Sequence, residues 1–402
     1  HRDLHSFPTR RSSDLFITVN WNGTGPQTVS VNYTNPISTC TGAAPHVLDI
    51  MVHPHPVPEI TGPAEVCAQE TGIVYTTAAN KLNYTWSVSS GGTITSGGSS
   101  SDNTVTVLWN TAGPQSVSAG FTDESTNCTS LTPTVYNVLV KPLPEPTISG
   151  DATPCDGSTG NIYSSQPGQT DYSWTISPGG VITAGGTASD PTVTITWNTT
   201  GNQSVSINYV NSSTQCTALT PVSFPVNVQP LPDITITGPP SVCVNNAGPV
   251  YTTQAGHFGY SWNILPAGAG IITGGSGTES VSVTWTTTGT HQISVNYTDA
   301  ITGCRAAAPS SYQVTVNTLP VPVLSGDAIP CTGLPKTYTT DPGASAYTWI
   351  VSSGGTIVSG GGNTDPTVTI VWNNPGSQTV SVNYTIGTGC SGAAPTQYNI
   401  TV

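Results

Sequence analysis

Apolar and polar residues alternate along most of this chain. Tyr172, Trp174 and Ile176 are interleaved with Ser173 and Thr175, and Val193, Ile195 and Trp197 with Thr194 and Thr196. Val205, Ile207 and Tyr209 keep the same two-residue period, and Val222, Phe224, Val226 and Val228 continue it. A two-residue period with one apolar face predicts half-buried antiparallel strands. No segment shows the three-to-four-residue spacing of an amphipathic helix. Between the predicted strands stand Gly179-Gly180, Gly185-Gly186, Asp190-Pro191 and the Asn198 to Gly201 stretch. There glycine supplies positive φ, and Asp or Asn caps a turn. About seven short strands separated by such turns predict an all-β domain, a sandwich of two sheets.

The pattern then repeats. Cys67, Cys155, Cys243 and Cys331 fall 88 residues apart, and Trp86, Trp174, Trp262 and Trp349 follow at 88, 88 and 87. A second tryptophan series, Trp21, Trp109, Trp197, Trp285 and Trp372, runs at 88, 88, 88 and 87, and Cys40, Cys128, Cys216, Cys304 and Cys390 run at 88, 88, 88 and 86. A fixed period of this size describes an array in which every copy solves one folding problem. The expected domains are residues 57–141, 145–229, 232–317 and 321–402, preceded at 16–53 by the C-terminal half of a copy whose front half is missing. Proline-alternating linkers such as Lys141 to Pro146 and Gln229 to Pro232 are expected to be short, extended and semi-rigid. Four such domains in line would make a rod on the order of 150 Å. A two-copy superperiod is also visible: ISGDATPC (Ile148 to Cys155) matches LSGDAIPC (Leu324 to Cys331), and ITGPAEVC (Ile60 to Cys67) matches ITGPPSVC (Ile236 to Cys243).

Residues 1–15 stand outside the repeat. His5 to Leu15, HSFPTRRSSDL, matches in one frame the translation of a common short-read sequencing adapter and reads as an unstructured assembly artefact. Residues 1–15 hold three of the seven basic residues and two of the twenty acidic ones, which leaves 4 basic against 18 acidic in the array. A nucleic-acid partner requires clustered Lys and Arg, and this composition excludes one, together with a polybasic membrane patch. No apolar run approaches the ~20 residues needed to span a bilayer, so no direct membrane insertion is expected of these residues. Charged residues are only 7% of the chain, against about 25% in typical soluble domains. Thr, Ser, Asn and Gly take their place, as on extracellular β-rich surfaces.

Nine cysteines at recurring positions pose a pairing problem. Pairing within repeats joins Cys67 to Cys128, Cys155 to Cys216, Cys243 to Cys304 and Cys331 to Cys390, and leaves Cys40 unpaired by truncation. Pairing between repeats joins residues 27 apart, such as Cys128 and Cys155, and leaves Cys390 over. The strand expected at Val135 to Lys141 would carry the chain ~20 Å from Cys128 before the next domain opens, whereas bridged Cα atoms lie within about 7 Å. Pairing within repeats is therefore the expectation. Persistent disulfides would place the protein outside the cytosol. A zinc site is not expected, because no CxxC pair occurs and the histidines do not recur with the cysteines.

Several motifs recur in a fixed order. Tyr84-Thr85-Trp86, Gly91-Gly92-Thr93-Ile94, Val105 to Trp109 and Val295-Asn296-Tyr297 together resemble the PKD-like repeats of bacterial surface proteins, and the resemblance runs over residues 16–402. It implies immunoglobulin-like antiparallel β-sandwiches strung in series in large secreted or outer-surface proteins of gliding or biofilm-forming Gram-negative bacteria, often exported by the type IX route. The WDFGDG motif of typical PKD domains is replaced by YTWSVSSGG, YSWTISPGG, YSWNILPAG and YTWIVSSGG. Any calcium or ligand property tied to that motif is therefore not carried over.

Candidate sites are few. Trp86, Trp174, Trp262 and Trp349 share a face with apolar neighbours, and core packing is expected. Trp109, Trp197, Trp285 and Trp372 end a strand beside a polar turn; edge or core packing is the first reading, and an exposed sugar-stacking platform the alternative. Asp102, Asp190 and Asp365, with Asp151 and Asp327, read as turn caps, with weak calcium binding between domains as the competing use. No other cofactor is expected. Neither GxSxG, HExxH, a P-loop nor a paired-acid motif occurs, so the chain is expected not to be an enzyme. The expected function is a non-catalytic fragment of an extracellular stalk or adhesin that meets an unknown protein or glycan ligand through its repeats. Two alternatives are the spacer array of a secreted polysaccharide- or protein-degrading enzyme and a set of glycan-binding modules.

Overall fold

The computed structural model describes residues 16–402, so the segment read as an artefact lies outside the described residues. Its 28 elements are all β-strands, with no helix among the described residues. The partial copy contributes one antiparallel hairpin, β1 (Gly25–Val31) and β2 (His46–Val52). With no second sheet to cover it, Val31 is 61% exposed, whereas its equivalent Ala119 in the next copy is fully buried.

The first complete domain holds β3 (Glu65–Cys67), β4 (Ile73–Thr76), β5 (Leu82–Val88), β6 (Gly92–Gly97), β7 (Thr104–Trp109), β8 (Gly113–Thr122) and β9 (Thr134–Lys141). One sheet has the order β3-β9-β8-β5 and the other β4-β7-β6. All pairings are antiparallel except that of β3 with β9, which runs parallel and sets Glu65 against Leu139 and Cys67 against Lys141. The remaining copies repeat the plan. In the third domain Ser241–Cys243 pairs parallel to the last strand, whereas in the second a single parallel bridge, Cys155 to Gln229, stands in for that strand.

The alternation read from sequence decides which face is inside. Val105, Val107 and Trp109 of β7 are fully buried while the residues between them are half-buried, and Val117, Ala119, Val138 and Val140 face them from the other sheet. Each fully buried side chain of this size contributes about 1.5–3 kcal/mol. The core therefore lies between the two sheets of each domain, and the loops gather at its two ends.

Those two ends are the N-terminal and C-terminal poles of each domain. The chain enters at the N-terminal pole, and β3 carries it to the C-terminal pole at Cys67. Because β9 runs parallel to β3, the chain also leaves at the C-terminal pole. The β8–β9 loop, which contains Cys128, lies at the opposite pole.

Candidate functional site at the bridged domain junctions

Both tryptophan series are structural. Trp174, Trp262 and Trp349 are buried and Trp86 is half-buried. Each indole N–H of this series donates to the carbonyl of the turn before the next strand: Trp86 to Asp102, Trp174 to Asp190, Trp262 to Thr278 and Trp349 to Asp365, all at 2.9–3.0 Å. The second series is the more deeply buried, with Trp109, Trp197, Trp285 and Trp372 all at 0% exposure. The sugar-stacking alternative is thereby corrected, since no face of these rings is open to a ligand. Their indole N–H groups donate to Tyr75, Tyr163, Tyr251 and Tyr338 at 3.0–3.2 Å. Each tyrosine hydroxyl in turn donates to a carbonyl of the first segment of its domain, Pro63, Asp151, Pro239 or Asp327. Burial raises the hydroxyl pKa of all four tyrosines, against the lowering effect of the indole bond.

The Gly-Gly motif exists because of this ring. A Cβ on Gly92 or Gly180 would meet the six-membered ring of Trp109 or Trp197 at 2.7 Å. Only glycine lets the strand lie so close to the indole.

The same tryptophans hold the first cysteine of each domain. Two residues beyond that cysteine the backbone takes positive φ, at Gln69, Gly157, Asn245 and Gly333. The N–H of each donates to the carbonyl of Trp109, Trp197, Trp285 or Trp372 at 2.7–2.8 Å. Glycine and side-chain amides tolerate this left-handed conformation best. The first cysteine thus sits in a turn docked on a fully buried residue at the C-terminal pole.

A different loop holds the late cysteine at the N-terminal pole. Asp123 N–H donates to Cys128 O at 2.8 Å, and Asp123 Oδ1 accepts from the N–H groups of Ser125 and Thr126. Asn211 with Cys216, Asp299 with Cys304 and Asn35 with Cys40 build the same loop. The side-chain oxygen mimics a backbone turn, and the residue before each cysteine has positive φ: Thr39, Asn127, Gln215, Gly303 and Gly389. Lys81 and then Ser125 hold the Asp123 carboxyl below the usual carboxylate range, and the backbone N–H groups of Thr302 and Ile301 do so for Asp299. Before Cys40, Cys128, Cys216 and Cys304 the sequence carries a signal for this loop, an Asp or Asn five residues earlier, that the strand-and-turn reading missed; in the last copy Ile386 N–H donates to Cys390 O instead.

Cysteine pairing differs from both schemes weighed on the sequence. Cys67 bridges Cys216, Cys155 bridges Cys304 and Cys243 bridges Cys390, with Cα separations of 5.6–5.8 Å. Cys40, Cys128 and Cys331 are free thiols. The expected pairs Cys67–Cys128, Cys155–Cys216, Cys243–Cys304 and Cys331–Cys390 are therefore corrected. The physical reason is the direction of the first strand. It delivers the first cysteine to the C-terminal pole, while the late cysteine stays at the N-terminal pole, about 25 Å away along the eight residues of β9. The short linker instead sets the C-terminal pole of one domain against the N-terminal pole of the next. Each bridge therefore crosses a domain junction. At the first junction the bridge lies in a groove lined by Ala68, Leu143 and Leu219; at the third the groove is lined by Val244, Leu319 and Ser391. Ahead of the first complete domain His55 Nδ1 lies 2.7 Å from Thr129 O, which ties the His-Pro-His-Pro linker to the N-terminal pole.

The carboxylates weighed for calcium cap turns. Ser99, Thr187 and Gly362 donate their N–H groups to Asp102, Asp190 and Asp365, and Thr153 and Ile329 donate to Asp151 and Asp327. Among the described residues no three metal-ligating side chains gather, and no helix is long and apolar enough to cross a membrane.

These features define a class: serial immunoglobulin-like β-sandwiches, covalently stapled from each to the next. The PKD-like domain family matches residues 53–138, 141–226, 229–314 and 318–400, and the chain belongs to it. No curated protein matches the sequence. Among solved structures, the ICAM-5 D1–D4 ectodomain fragment is similar at 11% identity and a TM-score of 0.33, over 86% of this chain and 99% of that one. Surface layer protein SbsC, domains 1–6, is similar at 13% identity and a TM-score of 0.22, over 86% of this chain and 54% of that one.

Proposed function

We propose that this array is a non-catalytic stalk of an extracellular bacterial surface protein, which holds a binding or anchoring region at a set distance from the cell. The observation that carries this reading is that all three junctions between complete domains are bridged by disulfides. Such bridges persist only in oxidising surroundings, and they fix each domain's orientation against the next where a bare linker would let it swing. Low charge and a Thr- and Ser-rich surface agree with that setting. The reading includes the outer surface of a Gram-negative host and repeated weak contacts with a protein or glycan, where linkage in one chain raises avidity. The full burial of Trp109, Trp197, Trp285 and Trp372 removes the support for stacking on sugars. A spacer role beside a secreted enzyme uses the same rod and differs only in what is attached to it.

Antibodies against residues 57–402 test the location. Labelling of intact cells, lost after surface proteolysis, supports the stalk. Labelling only after permeabilisation refutes it, and signal only in the medium favours the spacer of a secreted enzyme.

A further inference from the structure

The three bridges interlace, and their order along the chain has a mechanical consequence. Between Val57 and Val402 the shortest covalent route does not follow the backbone. It runs ten residue steps from Val57 to Cys67, crosses to Cys216, runs 27 steps to Cys243, crosses to Cys390 and ends 12 steps later at Val402. That is 49 steps in place of 345.

Each piece of this route travels from an N-terminal pole to a C-terminal pole. It takes the first segment of domain one, the last strand of domain two (Val222–Val228), the first segment of domain three and the last strand of domain four (Thr396–Thr401). Nothing on it doubles back. At about 3.5 Å per extended residue the 49 steps span about 170 Å, close to the length on the order of 150 Å expected of the folded rod.

The other cysteines trace a second route of the same design. It begins at Cys128, follows β9 and the linker for 27 steps to Cys155, crosses to Cys304, and runs 27 steps to Cys331. Two of the three free thiols, Cys128 and Cys331, are the ends of that route. Every complete domain gives its first segment to one route and its last strand to the other.

We propose that the first and third disulfides make the 49-step route a load line that carries tension along the array and leaves the sandwich cores out of the load, while the second route, which ends at the free thiols Cys128 and Cys331, joins the termini only through the backbone of domains one and four. Pulling on the ends tightens backbone that is already extended, so a domain that opens adds almost no length. The property holds whether the array serves an adhesin or a secreted enzyme, and the cell-labelling experiment tests the stalk reading separately. A stalk of this kind keeps its reach under shear, and reduction converts it into an extensible chain.

Single-molecule stretching of the full chain, with handles on peptide tags at its two termini and Cys40, Cys128 and Cys331 replaced by Ser, tests this. Residues outside 57–402 add the same length to every variant. The oxidised chain should reach a limit of only about 170 Å between Val57 and Val402, and a phosphine reductant should raise this limit to about 1,200 Å. Removing the first bridge (C67S/C216S) leaves a shortest route of 171 steps through Cys155–Cys304 and Cys243–Cys390, about 600 Å. Removing the middle bridge (C155S/C304S) leaves the 49-step route whole and the limit unchanged. Those two variants lose the same kind of bond, so a general folding defect cannot account for a difference between them. A limit near 360 Å in the oxidised chain, the 103 steps that pairing within domains would leave, would overturn the proposal. So would equal limits for the two double variants.

Discussion

Replacing Tyr163 by Phe removes one oxygen from the core of the second domain. That oxygen accepts the Trp197 indole N–H at 3.0 Å and donates to Asp151 O at 2.8 Å. Tyr163 and Trp197 are both at 0% exposure and are surrounded by Val193, Ile195 and Ile207, so the indole N–H is left without a partner or water. An unsatisfied buried donor costs about 1–3 kcal/mol. Asp151 lies at the surface, and its carbonyl can turn to solvent at little cost. A loss of about 2 kcal/mol is expected, which raises the local opening equilibrium roughly 30-fold, because each ~1.4 kcal/mol is a factor of ten. Four linked domains have no single unfolding free energy. The assay is therefore native-state hydrogen exchange, read on the strand Thr192–Trp197 of the altered domain and on Thr367–Trp372 of the fourth as internal control. The first strand should lose protection while the second keeps it. A change below threefold, or an equal loss in both, would refute the account of the Trp–Tyr–carbonyl chain as a stabilising element of its own domain.

A protease site inserted between Pro144 and Glu145 should, once cut, leave one species on a non-reducing gel and two after reduction, since Cys67–Cys216 spans the cut; separation without reductant would contradict that bridge. Acid should loosen the late-cysteine loops of domains one and three before that of domain two, where Asn211 replaces the carboxylate. The folded pKa values of Asp123 and Asp299 are depressed, so their contribution is complete above the ordinary value of about 3.9 and is lost as pH falls through the lower folded value. Amide proton shifts of Ser125, Thr126, Ile301 and Thr302 should titrate in that window while those of Ser213 and Thr214 stay fixed. Trp109→Ala should destabilise the first domain by about 3–5 kcal/mol, read as earlier loss of near-ultraviolet dichroism, and should leave retention on immobilised glycans unchanged; lost retention in a folded variant would restore the sugar-binding reading.

Much of this protein is local and was therefore legible in the chain. Alternation of Val105, Val107 and Trp109 with Thr106 and Leu108 settles which face is buried, because successive strand residues point to opposite faces. Glycine pairs and Asp-Pro steps mark the turns because few residues reach those backbone angles. The 88-residue count of Cys and Trp marks the domains, since each copy must meet the same core. The capping of turns by Asp102 and Asp190 is equally local, as each carboxylate reaches a donor only three residues away.

Cysteine pairing is not local. A Cys at position 67 reads the same whether its segment runs parallel or antiparallel to the last strand, yet that direction alone decides which pole it reaches. Distance along β9 excludes Cys128 as its partner as firmly as it excludes pairing of Cys128 with Cys155, and only the end-to-end placement of successive domains brings Cys216 within bonding range. The second tryptophan series shows the same division. Its sequence context, a strand end beside a polar turn, fits an exposed ring, and what buries it is a tyrosine 34 residues earlier together with a glycine strand laid on its face. Period and polarity determined the sandwich and its repetition, which rest on neighbours in the chain. The pairing of the cysteines and the burial of Trp109 rest on contacts between distant segments, and only the packed domains decide those.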